Sequence, residues 1–204
     1  MTIQKGQPWG QRIVVPLETR DVESDADLAA GSRSDIHIVS AGDVHCSLGS
    51  PSKPVPGDQR ALVQVDALRC EVESPGAARI ILAASSVRIG HWYARPWTRR
   101  RHVVVTNTGI VDGLNIAPRA HPNDGSAHMV AIAESMGARQ RFLARRRAAT
   151  GDHVPHPSIT IHKSSRFELL RAHPRERLTI DGLDAGSWDR VTITVEPDCW
   201  QVIV

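Results

Sequence analysis

Apolar positions along this chain fall in short blocks of alternating or continuous hydrophobics, separated by Gly, Pro, Asp and Ser. This is the texture of β-strands joined by turns. In VTITV, Val191, Ile193 and Val195 fall on one side and Thr192 and Thr194 on the other, which predicts a strand with one buried face. HVVVTN (102–107) is apolar throughout and predicts a strand covered on both faces. Further strands are expected in ARIILAASSVRIG, AHMVAIAE, SITIH, RFELLRA, RLTIDG and CWQVIV. ALVQVDALRCEVE reads as two pieces broken near Asp66 and Ala67, with Leu68, Cys70 and Val72 alternating against Arg69 and Glu71. Eight to ten short strands with turn signals between them predict a β-sandwich over 59–204, and the fold class is mainly β.

The first 50 residues have a different texture. QRIVVPL (11–17) and DIHIVS (35–40) read as strands. Between them Ser24 is an N-cap with acids in the following turn, predicting a short helix over 24–30. A few helical turns are expected in AGDVHCSLG. Residues 1–50 therefore form a small α/β remnant, and the Pro-rich SPSKPVPGD predicts an extended linker over 51–58. In the C-terminal part, MGARQRFLARRRAA predicts one helix over 136–149. Projected at 100° per residue, Arg139 and Arg146 fall among Met136, Phe142 and Leu143.

Composition narrows the classes. The 204 residues are 41% hydrophobic and only 4% aromatic, so the core is built from Val, Ile, Leu and Ala. The net charge of +3 does not by itself call for nucleic acid. No apolar run reaches the ~20 residues that a membrane-spanning helix needs, and the N-terminus lacks the apolar core of a signal peptide. A cytoplasmic protein with reduced Cys46, Cys70 and Cys199 is expected, in peripheral contact with a membrane at most. His153 and His156 flank Pro155 and cannot share a helix face, so they predict no zinc site. His45 and Cys46 are adjacent, which does not make a catalytic dyad.

The order RHVVVTNTG, GLNIAPRAHPNDG, RRRAATGDHVPHPSITI, LTIDGLDAG and VTITVEPDCWQVIV resembles the C-terminal β-sandwich of the diacylglycerol kinase family, the YegS-like bacterial lipid kinases. That family reads an apolar strand ending in Asn, then L-x-P-x-A-x-P-x-D-G, a G-x-H-x-x-H-P segment and a D-G-E turn. The family's nucleotide-binding domain should precede this stretch, and its G-G-D-G-T phosphate loop is not found here. IVSAGDVHCSLGSP is loosely similar to a later element of that domain, G-T-G-N-D-x-A-R-x-L-G-I-P.

The resemblance implies site residues. Asp181 stands at the Asp of the D-G-E turn, the position of a general base toward a lipid hydroxyl, although Leu183 replaces the Glu. Asp124 in PNDG stands where the family holds Mg²⁺, with His128 in place of the second acid. Both stretches are also self-sufficient turn sequences. Arg99, Arg100 and Arg101, near Trp92, Tyr93, Arg95 and Trp97, and Arg145, Arg146 and Arg147 offer phosphate-binding charge for an anionic lipid or membrane surface. The competing expectation pairs these arginines with Asp152, Glu168 or Glu176. ATP is not expected as a ligand, Mg²⁺ is confined to the Asp124 loop, and nucleic acid is not an expected partner.

The reading is a degenerate, non-catalytic relative of the lipid kinases that binds a lipid-like ligand or a partner protein. The alternative is a phosphotransferase subunit using Asp181, with its nucleotide domain supplied by another chain. A structural or regulatory homodimer is the third.

Overall fold

The computed structural model describes residues 9–90 and 101–204. The N-terminal elements are β1 (Gln11–Val14), β2 (Arg20–Val22), α1 (Asp25–Ala29), β3 (Ile36–Val39) and α2 (Gly42–Ser47). Then come β4 (Gln59–Ser74), β5 (Ala77–Ala83), β6 (Ser86–Ile89), β7 (His102–Thr106), β8 (Ile110–Val111), β9 (Leu114–Asn115) and β10 (Ala127–Ile132). After α3 (Ala138–Ala148) the chain finishes with β11 (Ile159–Ser164), β12 (Arg166–Leu170), β13 (Leu178–Ile180), β14 (Leu183–Asp184) and β15 (Arg190–Ile203).

Two long antiparallel strands, β4 and β15, run the length of the molecule and serve two cores. Toward their Glu73 and Arg190 ends they are flanked by β5 and β12. This part packs against the six-stranded sheet β11-β10-β7-β6-β13-β14. Leu68, Cys70, Val72, Val191 and Ile193 from one sheet meet Val87, Val103, Val105 and Leu178 from the other. Toward the other end β4 pairs with β1 and β15 with β3, and β2 lies beyond β3, with β3 parallel to both β15 and β2. There Val63, Val65, Trp200 and Val202 bury Leu28 of α1 and Val44 of α2. Residues 9–50 thus add their strands to the sandwich sheet itself.

The sandwich and the mainly β class stand as the sequence indicates. Val191, Ile193 and Val195 all enter the inter-sheet core. Every residue of β7 is buried, because α3 covers the sheet face opposite the sandwich core. There Val104, Val130 and Ile132 meet Ala144 and Ala148.

One expectation is corrected. β4 is one unbroken strand, and the irregularity lies across from it in β15, between Glu196 and Trp200. Asp66 looked like a break because it is polar, but it is 1% exposed and paired. In α3, Arg139, Phe142, Leu143 and Arg146 share the exposed side, and Arg141, Ala144 and Ala148 are the buried residues. Small alanines let the helix approach the sheet, and the Arg141 guanidinium folds inward onto the carbonyls of Met136 and Ala133 at 2.9 and 2.8 Å. No described helix is long and apolar enough to cross a membrane.

Candidate functional site

Three turns meet where the N-terminal elements join the sandwich. The first leads from β2 into α1. Ser24 caps that helix, its hydroxyl accepting from the Asp27 N–H at 3.1 Å, which turns Asp25 toward the start of α2. The Asp25 carboxylate there accepts from the N–H groups of Asp43 at 2.8 Å and Val44 at 3.0 Å. These are two of the donors that a helix leaves open at its N-terminus. Gly42 makes the approach feasible: its φ is +98°, and a Cβ there would lie 2.6 Å from an Asp25 carboxylate oxygen.

The second turn is Asp112-Gly113 between β8 and β9, with φ of 48° and 72°. Both positive angles are those of a tight hairpin turn that favours Asp-Gly. The Asp112 and Gly113 N–H groups donate to the Asp43 carboxylate at 3.0 and 3.3 Å. Burial pushes the Asp43 carboxyl up to about 6, with the Asp25 charge adding to the rise and the two N–H donors opposing it. Arg88 of β6 holds the Asp112 side chain with two hydrogen bonds, at 2.6 and 2.8 Å.

The third turn carries Asp181. Asp181 and Gly182 again have positive φ, 46° and 80°, so the Asp-Gly β-turn is formed. The carboxylate points back under the β5–β6 connection. It accepts from the N–H groups of Ala84 at 2.6 Å, Ser85 at 3.0 Å and Ser86 at 2.9 Å, and from the Ser85 hydroxyl at 3.0 Å. Burial raises its carboxyl above the ordinary range, against the pull of those three N–H donors. Leu183, in place of the family's Glu, is exposed. Asp184 caps its own turn through the Gly186 N–H at 2.7 Å.

These turns line one open cleft, whose walls carry four carboxylates (Asp25, Asp43, Asp112, Asp181) and one guanidinium, Arg88. Seven backbone N–H groups are held around it by three of those carboxylates. Such N–H clusters form anion sites when they are open. Here the chain's own acids fill them.

The remaining expected site residues lie elsewhere. Asp124 accepts from the Ser126 N–H at 3.0 Å and pairs with the Lys163 ammonium at 2.8 Å. Mg²⁺ wants several oxygen ligands, and Lys163 already neutralises this carboxylate, so the residues present do not fit that ion. Among the described residues no group of three or more His, Cys, Asp or Glu could hold a metal.

Arg99 and Arg100, with Trp92, Tyr93, Arg95 and Trp97, lie outside the described residues. The Arg101 guanidinium donates to the Leu170 carbonyl at 2.8 Å. Arg145, Arg146 and Arg147 are exposed on α3. His153 is buried with Nε2 on the Ile116 carbonyl at 3.1 Å, and His156 accepts from the Ser158 N–H at 3.1 Å. His45 Nδ1 donates to the Val39 carbonyl at 2.8 Å, so that nitrogen is committed to the backbone and not to Cys46.

Sequence reasoning missed Asp25, Asp43 and Asp112. The available signals were an acid directly after the Ser24 cap, an acid after Gly42 and an Asp-Gly hairpin turn. Only the fold shows that they converge.

Residues 59–204 match the family described as the YegS C-terminal NAD kinase beta sandwich-like domain. The chain belongs to this family. No curated protein gives a significant sequence match. The fold is similar to a crystal structure of a putative diacylglycerol kinase from Bacillus anthracis str. Sterne, at a TM-score of 0.57 and 11% identity, covering 87% of this chain and 72% of that one. It is also similar to yeast NADH kinase complexed with NADH, at a TM-score of 0.53 and 10% identity, covering 89% of this chain and 59% of that one. Both spans extend the likeness beyond residues 59–204 into the N-terminal elements.

Proposed function

We propose that this chain is a relative of the lipid kinases that has kept their scaffold without phosphoryl transfer, and that it works by binding a lipid-like ligand or a partner protein. One observation carries the reading: the carboxylates of Asp25, Asp43 and Asp181 fill the N–H clusters around the cleft. A polyphosphate entering there meets excess negative charge and finds its donors taken. No G-G-D-G-T segment occurs in the sequence, and the turn from β2 into α1, Glu23-Ser24-Asp25-Ala26, holds no glycine that would let phosphate approach the backbone.

The alternative, Asp181 as a general base, would have to work through the oxygen that accepts from the Ala84 N–H, because Ser85 and Ser86 occupy the other one.

The test is titration calorimetry with Mg-ATP, alongside transfer of labelled γ-phosphate to diacylglycerol in mixed micelles. No binding near 100 μM, about 5.5 kcal/mol, and no labelled product are expected. Measurable transfer that is abolished by Asp181→Asn in a folded protein would reverse the reading. A companion expectation concerns the Asp124 loop, where Lys163 serves as the cation: EDTA leaves the melting temperature unchanged. A drop of several degrees that Mg²⁺ restores would establish a structural metal.

A further inference from the structure

We infer that the open hollow framed by the β12–β13 and β14–β15 connections is a binding site for a soluble phosphate monoester. It shares no residue with the cleft, so it goes beyond the reading above. Its volume, about 580 Å³, lies in the range of about 300–1,000 Å³ usual for small-ligand sites. The β12–β13 connection reads Arg171-Ala172-His173-Pro174-Arg175-Glu176-Arg177. Pro174 takes the second position of a turn that the Glu176 N–H closes on the His173 carbonyl at 2.9 Å, a position that proline favours. Arg171, Arg175 and Arg177 all line the hollow. Arg171 and the Arg79 of β5 are fixed. The Arg171 guanidinium donates to the carbonyls of His173 at 3.3 Å, Trp188 at 3.2 Å and Pro174. The Arg79 guanidinium donates to the carbonyls of Ser187 at 2.9 Å and Ala185, on either side of the Gly186 that lines the hollow.

Charge selects the ligand. Carbonyl partners orient a guanidinium but do not neutralise it. The two acids of the lining serve the turns themselves: Glu176 accepts from the Ala172 N–H at 2.8 Å and Asp184 from the Gly186 N–H at 2.7 Å. No ion pair to Arg79, Arg171, Arg175 or Arg177 forms among the described residues. Four guanidinium groups against two carboxylates leave two positive charges in excess. A phosphate monoester near neutral pH carries about −1.5 to −2, and its oxygens match guanidinium N–H groups in pairs. The two fixed arginines lower the cost of ordering the site. The exposed Arg175 and Arg177 bring donors to it. Among the described residues Pro174 is the one apolar side chain of the lining, so the ligand comes from water and not from a bilayer, which would need apolar groups to enter.

The experiment is titration calorimetry of the full chain with inorganic phosphate and with ethyl phosphate, at about 20 mM ionic strength where charges are little screened. Both should bind with a Kd of about 1 mM and raise the melting temperature. Arg175→Gln/Arg177→Gln should weaken both about tenfold or more and cancel that rise. Without phosphate its unfolding midpoint should match wild type, because both side chains are exposed. Arg139→Gln/Arg146→Gln, which removes two exposed arginines of α3, should bind both probes as wild type does.

Absence of binding by wild type at about 10 mM of either probe overturns the proposal. Equal affinity of wild type and the Arg175/Arg177 variant does the same. Equal losses in the Arg175/Arg177 and Arg139/Arg146 variants also overturn it, because the effect is then one of net charge and not of a site. Neither nucleotide nor diacylglycerol is present in these titrations, so their outcome is independent of the phosphoryl-transfer test.

Discussion

Asp181→Ala should unfold the protein more readily by about 3–5 kcal/mol, in place of leaving a folded but inactive chain. The Asp181 carboxylate is the acceptor for three consecutive backbone N–H groups and one hydroxyl in the β5–β6 connection. That connection passes between the two sheets, from β5 of one to β6 of the other. Alanine leaves those donors without partners, and a buried donor left unpaired costs about 1–3 kcal/mol. Water from the cleft side recovers part of that, which keeps the total below the simple sum. Asp181→Asn should be milder, because one oxygen survives while the new amide nitrogen faces a donor. Leu183→Ala, at an exposed position in the same turn, should change nothing measurable.

Denaturant unfolding decides the point. A midpoint lowered at constant m-value for Asp181→Ala marks loss of native stability. An unchanged midpoint would mean that the turn does not depend on this carboxylate, and would return Asp181 to the list of chemically active groups.

The sandwich was legible in the sequence because its strands obey local rules. Alternation in 191–195 and the apolar run at 102–106 report on their own neighbourhoods, and Val191, Ile193 and Val195 share the core as expected, although Thr192 on the other face is buried as well. The cap at Ser24 and the Asp-Gly turns at 112 and 181 are local as well. The cleft was not legible, because its defining contacts join residues far apart in the chain. Asp25 reaches the start of α2 only because β2 and β3 lie parallel and side by side, and Asp43 reaches Asp112 across 69 residues of sequence. The inward face of α3 was not legible for a related reason. Periodicity says which residues share a side of a helix, but which side turns inward depends on how closely the sheet beneath lets it approach. Alanines at 144 and 148 and a folded Arg141 decide that here.

Asp66→Ala should be comparably costly, and its cost should depend on pH. Asp66 sits mid-strand in β4, opposite the irregularity in β15, where the sandwich core gives way to the core around α1 and α2. Its carboxylate accepts from the Gly125 N–H at 2.8 Å and the Asp198 N–H at 3.0 Å. Its own backbone N–H donates to the Pro122 carbonyl at 2.7 Å, and its carbonyl accepts from the Asn107 amide at 2.7 Å. One side chain thus ties the β15 irregularity and the 122–125 loop to β4.

Burial pushes the Asp66 carboxyl from its ordinary 3.8 up to about 6, with the Asp124 charge adding to the rise and the Gly125 N–H opposing it. A carboxyl raised in this way binds its proton more tightly folded than unfolded. Its contribution is therefore full below about pH 4 and is lost as pH rises through 6, by up to about 3 kcal/mol. Asp43, also raised to about 6, tilts stability in the same direction. His121, His128 and His153 are pushed below 6.5 by burial, so they lose stability as pH falls below that value and mask the slope in wild type alone. The difference between wild type and Asp66→Ala cancels those shared terms. Measured by urea unfolding, the gap should be about 3–5 kcal/mol near pH 4.5 and shrink toward about 1–3 kcal/mol near pH 7.5. A gap that stays constant or widens with pH would show that the N–H donors outweigh burial and that Asp66 is ionised throughout.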